Sequence, residues 1–452
     1  MQNEITAQKI LLPEAVKMIL TTLSDAGYEG YAVGGCIRDS LLGRKPSDWD
    51  ITTSATPGQV KELFRHTIDT GIEHGTVTVM LDHVGYEVTT YRIDGEYEDG
   101  RHPKQVTFTP SLFEDLRRRD FTVNAMAYNE KEGLVDLFGG IEDMKNGLIR
   151  AVGDPMERFS EDALRMMRAV RFSAQLGYRI HEETQEAIQK LSKTLAKVSA
   201  ERIRVELEKL LVSPHPEQFI LCYKLGLTEV FLPEFHTAMI TTQNNPHHCY
   251  DVGEHIMESI KAVRADKVLR FTMLFHDLGK PACKTTDEEG IDHFKGHPAV
   301  SAKIADERMR ALRFDNETRK RIIILTENHD LRISPEKKAI RKVLSRLGED
   351  NLRLLWEVQI ADTTAQSDYQ REEKLAGIAE AKRQMELVLA DKECFSIKDL
   401  AVNGQDLLQL GYPKGPALGA ELKELLAAVL EDPSQNTKET LLKLAAEQKE
   451  NL

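Results

Sequence analysis

Hydrophobic and polar positions follow two different periods along this chain, mixed over its first third and purely helical beyond. Residues 12–23 repeat apolar side chains at helical spacing, 31–33 form a short apolar strand, 37–42 a helix and 49–51 a second strand. Residues 75–80 and 86–91 alternate β-branched side chains with others, which predicts two more strands. In the second of these, Glu87 shares a face with Thr89 and Tyr91. The run 94–103 is polar and glycine-containing and has no period, so it predicts a loop. A helix is expected from Leu112 with Arg117-Arg-Arg-Asp-Phe-Thr-Val-Asn-Ala125 at its start, then a strand from Leu134 ending in a Gly139-Gly140 turn. Past Pro155 the pattern predicts helices over 162–176, 183–191, 200–211 and 217–225, with Ser160 as the cap of the first. Breaks fall at Ser213-Pro-His-Pro216, at Gln243-Asn-Asn-Pro246 and over 403–416. The pattern describes an α/β head followed by an all-α remainder, with boundaries expected near 150, 225 and 390.

Composition adds bounds. The 452 residues leave room for two to four domains, and 41% hydrophobic with 29% charged residues excludes a disordered or fibrous chain. The start, Met1-Gln-Asn-Glu-Ile-Thr-Ala-Gln-Lys9, has no basic stretch leading into an apolar core, and no apolar run reaches bilayer length. A cytoplasmic protein without membrane partners is expected. Five scattered cysteines with no C-x-x-C pair exclude a disulfide framework and a zinc ribbon. A net charge of −13 argues against nucleic acid as a partner of the whole surface. Screening limits a phosphate's view to roughly 8–10 Å, however, so local basic surfaces decide.

Chemistry concentrates in Val33-Gly-Gly-Cys-Ile-Arg-Asp39 and Asp48-Trp-Asp50. Residues i and i+2 of a strand point to one face, so the two aspartates can share hard cations, while backbone N–H groups at a glycine turn can meet a phosphate. Metal-dependent chemistry on a nucleotide is implied. A second cluster, Glu161-Asp-Ala-Leu-Arg-Met-Met-Arg-Ala-Val-Arg171, sets Asp162 beside Arg165 at i, i+3, with Arg168 and Arg171 continuing the interval. Taken alone it also reads as a surface helix with an internal salt bridge.

These pieces, with Arg118-Arg-Asp-Phe-Thr-Val-Asn-Ala125, Asp136-x-Phe-Gly-Gly140 and Glu201-Arg-Ile-x-x-Glu206, resemble the ordered motifs of the class II tRNA nucleotidyltransferases, the CCA-adding enzymes and the related bacterial poly(A) polymerases. Cys36 and Ala163 replace the family's usual Ala and Pro, and His102 stands in an Arg-rich loop motif. The resemblance implies a polymerase-β-like head (1–150), a nucleotide-selecting helical neck (151–225), an HD-type helical body (226–390) and a helical tRNA-binding tail (391–452). It implies template-independent addition of CCA to tRNA 3′ ends from CTP and ATP. Asp48 and Asp50 would be catalytic and hold Mg²⁺, with Glu87 a candidate third carboxylate. Gly35, Arg38 and Arg119 would grip phosphates, Asn124 would orient one or simply cap a turn, Asp162 and Arg165 would read the base, and Arg168 and Arg171 would lie toward the phosphates. A-only or CC-only addition and poly(A) synthesis share the head motifs. The full-length 94–103 loop and the absence of a basic tail favour complete CCA addition.

The second half resembles the HD superfamily of metal-dependent phosphohydrolases through His255, His276-Asp277 and Asp362, which implies a second divalent metal and phosphodiesterase or cyclic phosphatase chemistry. A phosphohydrolase with an additional nucleotidyltransferase fold is therefore the alternative function. His297 and His329 are candidates to line the HD-type site, with a satisfied core or surface histidine the favoured reading of each. Gly404-x-Asp-Leu407 and Gly411-Tyr-Pro-Lys-Gly-Pro416 resemble the family's tail, where a helix start near Lys414-Gly415 would meet RNA phosphates, and read equally well as a plain helix-turn-helix.

Overall fold

A computed structural model describes residues 10–95 and 106–450, so most of the predicted loop at 94–103, with His102, lies outside the described residues. Two compact units divide the chain, Met1–Pro233 and Glu234–Leu452.

The first unit opens with α1 (Glu14–Asp25), whose Val16, Ile19, Leu20 and Leu23 bury one face at helical spacing. Strands β1 (Gly30–Val33), β2 (Asp50–Thr53), β3 (Thr67–Gly71), β4 (Thr76–Leu81), β5 (Val84–Thr90), β8 (Met126–Asn129) and β9 (Gly133–Asp136) form a mixed sheet in the order β3-β4-β5-β2-β1-β8-β9. Helices α2 (Gly35–Leu41) and α3 (Pro57–Leu63) interrupt it, and β6 (Arg92–Asp94) pairs with β7 (Val106–Phe108) beside it. Val33 of β1 faces Asp50 of β2 across an antiparallel ladder. Ile51 of β2 pairs with Val88 of β5 in parallel, which puts Asp50 level with Glu87. The sheet register thus gathers three residues that are far apart in sequence.

Helix α4 (Leu112–Arg117) is shorter than expected, and Arg118–Asn124 turn away from it. Asp120 accepts from its neighbour Phe121's N–H at 2.8 Å and from the Asn124 amide at 3.3 Å, local bonds that compete with helix continuation. The arginine run therefore sits at the helix's C-terminal end, where cations complement the dipole, and not at its start.

After α5 (Gly140–Asn146) and β10 (Leu148–Ile149), the helix expected from Asp162 is two helices. In α6 (Pro155–Glu161) Asp154 is the cap, its side chain accepting from Met156's N–H at 2.8 Å, with Pro155 in the first turn. Ser160 lies in its last turn and caps nothing. Asp162 is extended (φ −141°, ψ 102°), its carboxylate accepts from Leu164's N–H at 3.0 Å, and α7 (Leu164–Leu176) starts there. An Asp-Pro start outcompetes a lone serine because proline's fixed φ suits the first helical position. Strand β11 (Arg179–Ile180), α8 (Glu182–Leu191) and α9 (Ala200–Leu211) follow.

The second unit is helical apart from a ribbon pairing Thr285–Thr286 with Asp292–His293. One core gathers Leu325, Ile340, Leu344, Trp356 and Met385, and another Val402, Leu407, Leu425, Val429 and Leu441. Buried Arg341 links the segments that carry them, donating to Glu393 at 2.6 Å and to the Leu430 carbonyl at 3.1 Å. Among the described residues no helix is long and apolar enough to cross a membrane.

Candidate active site

Asp50 opens β2, and Asp48 lies in the chain leading into it. Although Asp50 is open on one side, desolvation by the surrounding protein raises its carboxyl pKa; Asp48 and Glu87 push the same way and Arg119 opposes them. Three carboxylates thus converge and repel, the environment that a divalent cation relieves. Above them Gly34 turns the chain at φ +85°, where a Cβ would come within 3.1 Å of an Arg119 guanidinium nitrogen. Glycine here supplies both the left-handed turn and the room for that cation.

Beneath the carboxylates lies Asp115, which had no role in the sequence reading. Fully buried, it accepts from Thr52 Oγ1 at 2.9 Å, from Arg118 Nη2 at 2.7 Å and from Arg119 Nη2 at 3.4 Å. Burial alone would raise its pKa; Arg118 and Arg119 more than reverse that and leave it lowered. Their i+3 and i+4 spacing from Asp115 was the available signal. The Nε of Arg119 has no hydrogen-bond partner, so the side chain is anchored at one end with donor capacity to spare.

Arg38, nearly buried, donates to Asn124 Oδ1 at 2.5 Å and to Asp39 at 2.9 Å. Asn124 and Phe121 bond Asp120, which Arg168 reaches at 2.7 Å. Burial would raise Asp120's pKa, but Arg168 chiefly, with Asn124 helping, lowers it to about 2. Phe172, also missed, carries the guanidinium carbons of Arg171 at 3.9 Å, Arg38 at 5.2 Å and Arg168 at 5.5 Å around its ring. Contacts of this type contribute ~0.5–2 kcal/mol each.

Asp162 and Arg165 do not pair with each other, because the helix break separates them. Arg165 donates to Glu161 at 2.6 Å and to the Arg158 and Arg118 carbonyls at 3.1 Å, while Asp162 accepts from Arg202 Nη2 at 2.6 Å. Arg171 is also not free to meet a phosphate: it is buried, paired with Glu206 at 2.5 Å and bonded to Gln175 at 2.8 Å. The Glu201-Arg-Ile-x-x-Glu206 motif is therefore a clamp, with Arg202 and Glu206 of α9 holding Asp162 and Arg171.

In the second unit, His255, His276, Asp277 and Asp362 come together, with His255 Nε2 2.9 Å from Asp362 Oδ1 and 3.3 Å from Asp277 Oδ2. His297 and His329 join them at 3.2 and 3.6 Å from Asp277 Oδ1, so the less favoured of their two readings, as lining residues, is the one the geometry supports.

Residues 30–150 match the family described as the poly A polymerase head domain, 177–239 a probable RNA and SrmB-binding site of polymerase A, and 288–445 a putative second domain of tRNA nucleotidyltransferases. A CCA-adding enzyme of Levilactobacillus brevis is 35% identical over 95% of this chain and 98% of its own. One of Leuconostoc mesenteroides is 56% identical, over 44% of this chain and half the length of that relative. The fold is similar to that of the Bacillus stearothermophilus CCA-adding enzyme crystallised with CTP, with TM-score 0.72 and 31% identity over 98% of this chain and 99% of the other.

Proposed function

The chain belongs to the CCA-adding enzymes, and from that membership we propose that it adds C, C and A to tRNA 3′ ends without a template, using CTP, ATP and Mg²⁺. The observation that carries this reading is the convergence of Asp48, Asp50 and Glu87 under the Gly34 turn, with Arg119 beside them. These carboxylates would hold the divalent metal. When bound, it lowers the pKa of the RNA 3′-hydroxyl and offsets triphosphate charge. That hydroxyl attacks the α-phosphorus, and pyrophosphate leaves. Arg119, pinned by Asp115, and the N–H groups at the start of α2 receive phosphate oxygens. Arg38 and Arg168, committed to Asn124, Asp39 and Asp120, brace the segment that carries Arg119.

Asp162 and Arg165 read the base. A carboxylate accepts from the exocyclic amine that cytosine and adenine share, and a guanidinium donates to the neighbouring ring nitrogen. Uracil and guanine invert that pattern and leave buried groups unpaired. Arg202 orients Asp162 without exhausting it, since a carboxylate has about four acceptor sites. Residues 1–150 serve as head, 151–225 as neck, 226–390 as body and 391–452 as the tRNA-binding tail, in a protein working in the cytoplasm.

The test offers the purified protein tRNAs ending at the discriminator base, at C and at CC, with each nucleoside triphosphate singly, and sequences the products. Expected are C on the first two and a single A on the third. Poly(A) tracts, A-only or CC-only products, or no extension would overturn the reading.

A further inference from the structure

Three consecutive arginines, Arg117, Arg118 and Arg119, stand at the C-terminal end of α4, and one buried carboxylate decides what two of them do. Asp115 is shut off from solvent, and its two oxygens serve different partners. Oδ1 accepts from Arg118, from Nε at 3.0 Å and from Nη2 at 2.7 Å. Oδ2 accepts from Thr52 Oγ1 at 2.9 Å and from Arg119 Nη2 at 3.4 Å. A buried carboxylate persists only when donors and opposite charge compensate it, and here two guanidinium groups meet one negative charge. The surplus positive charge lies with Arg119, whose Nε has no hydrogen-bond partner and whose bond to Oδ2 is the longest of the four.

Both arginines lead from Asp115 to the nucleotide site, by different routes. Thr52 is two residues beyond Asp50 on β2 and shares its face, so Oδ2 is one side chain away from the carboxylate cluster. The far end of Arg119 reaches Gly34, where a Cβ would be 3.1 Å from Arg119 Nη1 and 4.0 Å from Asp50 Oδ2. A divalent ion held by carboxylates is shared with the phosphates of its nucleotide, so those phosphates arrive at this edge. The route through Arg118 is its backbone. While the side chain is clamped to Oδ1, the carbonyl accepts from Arg165 Nη2 at 3.1 Å. Arg165 Nη1 is taken by Glu161 and by the Arg158 carbonyl, so the Arg118 carbonyl fixes the other nitrogen and with it the tilt of the guanidinium plane.

We infer that Asp115 is a positioning residue that couples the two ends of the bound nucleotide. Through Oδ2 and Arg119 it places the cation that meets the triphosphate; through Oδ1 and Arg118 it places the carbonyl that sets Arg165 against the base. This rests on the nucleotide-adding reading of the site and adds to it the group that fixes the separation of its two subsites. Asp115 acts by geometry alone: a nucleotide whose base seats on Arg165 has its triphosphate under an arginine anchored to the same carboxylate. Such placement matters because catalysis by orientation is lost when reacting groups are misplaced by about 1 Å.

The test measures two ratios on the full-length chain. The affinity for CTP over CMP, from calorimetric titration with Ca²⁺ and without tRNA, reports the triphosphate end. The kcat/KM for CTP over UTP, in single turnover with Mg²⁺ on tRNA ending at the discriminator base, reports the base end. Arg119→Gln should lower the first ratio at least ~10-fold and leave the second, whereas Arg118→Met should lower the second at least ~3-fold and leave the first. Asp115→Asn should lower both. Thr52→Val keeps every charge and loosens only Oδ2, so it should lower the first ratio ~3-fold and leave the second. If Asp115→Asn loses the parent's circular dichroism, Thr52→Val and Arg118→Met decide the two ends separately, and parent ratios in either would overturn the coupling. A folded Asp115→Asn with either ratio unchanged, or variants that all lower both ratios alike, would overturn it as well. A parent with neither preference would instead overturn the nucleotide-adding reading itself.

Discussion

Asp162 is held by Arg202 through both of its carboxylate oxygens, of which Oδ2 keeps a further acceptor site. If Asp162 reads the base as proposed, replacing it with alanine removes the acceptor for the amine that cytosine and adenine share. Each mismatched group costs ~1–3 kcal/mol, so preference for CTP and ATP over UTP and GTP should fall by ~10–100-fold in kcat/KM, measured in single turnover on tRNA ending at CC. Binding of tRNA itself should persist. Asp50→Asn behaves differently: it removes a charge from the cluster beneath Gly34, and addition of every nucleotide should slow by at least ~100-fold with the order of preference unchanged. The aspartate pair was legible because a two-residue spacing beside a glycine turn carries its own chemistry. The support that Asp115 gives Arg118 and Arg119 was present at helical spacing, but nothing local distinguishes a buried i, i+4 pair from a solvated one.

At the scale of elements, α7 and α9 are joined by the buried Arg171–Glu206 pair. Removing one partner strands the other charge in the interior, so Glu206→Ala should destabilise the protein by ~3–5 kcal/mol, seen as a lowered midpoint in urea unfolding. The double change Arg171→Met with Glu206→Leu should recover most of that loss, since a packed apolar pair carries no desolvation penalty. Periodicity found α7, α8 and α9 to within two residues of their ends. It missed the break at Asp162 because Asp154-Pro155 and Ser160 both signal a helix start. Only the competition between them, settled by packing, decides which one acts.

Across the whole molecule, every side chain proposed to touch the nucleotide lies in Met1–Pro233. That fragment, expressed alone, should bind CTP in a calorimetric titration with affinity within ~10-fold of the full chain; no binding would show that the site depends on the second unit. Acid stability follows from Asp120. Burial works against its charge, but Arg168 holds the pKa at about 2, below the ordinary 3.8. A depressed pKa contributes stability that is complete above pH ~4 and lost as pH falls toward 2, about 2 kcal/mol in all. Thermal midpoints taken from pH 5 to 2 should therefore fall more steeply in the parent than in Asp120→Asn, which has no such carboxyl to protonate.

The sequence alone determined the α/β-then-α order, the residues with chelating or phosphate-binding chemistry and, through the order of its motifs, the family, because each depends on residue type and short spacing. Tertiary structure decided which of those residues meet. Glu87 reached Asp50 through strand register, Arg202 took Asp162 from Arg165 through a helix break, and His297 and His329 joined Asp277 through helix packing. Pairings between residues distant in the chain are set by how whole elements bury their apolar faces, and no local window of sequence carries that information.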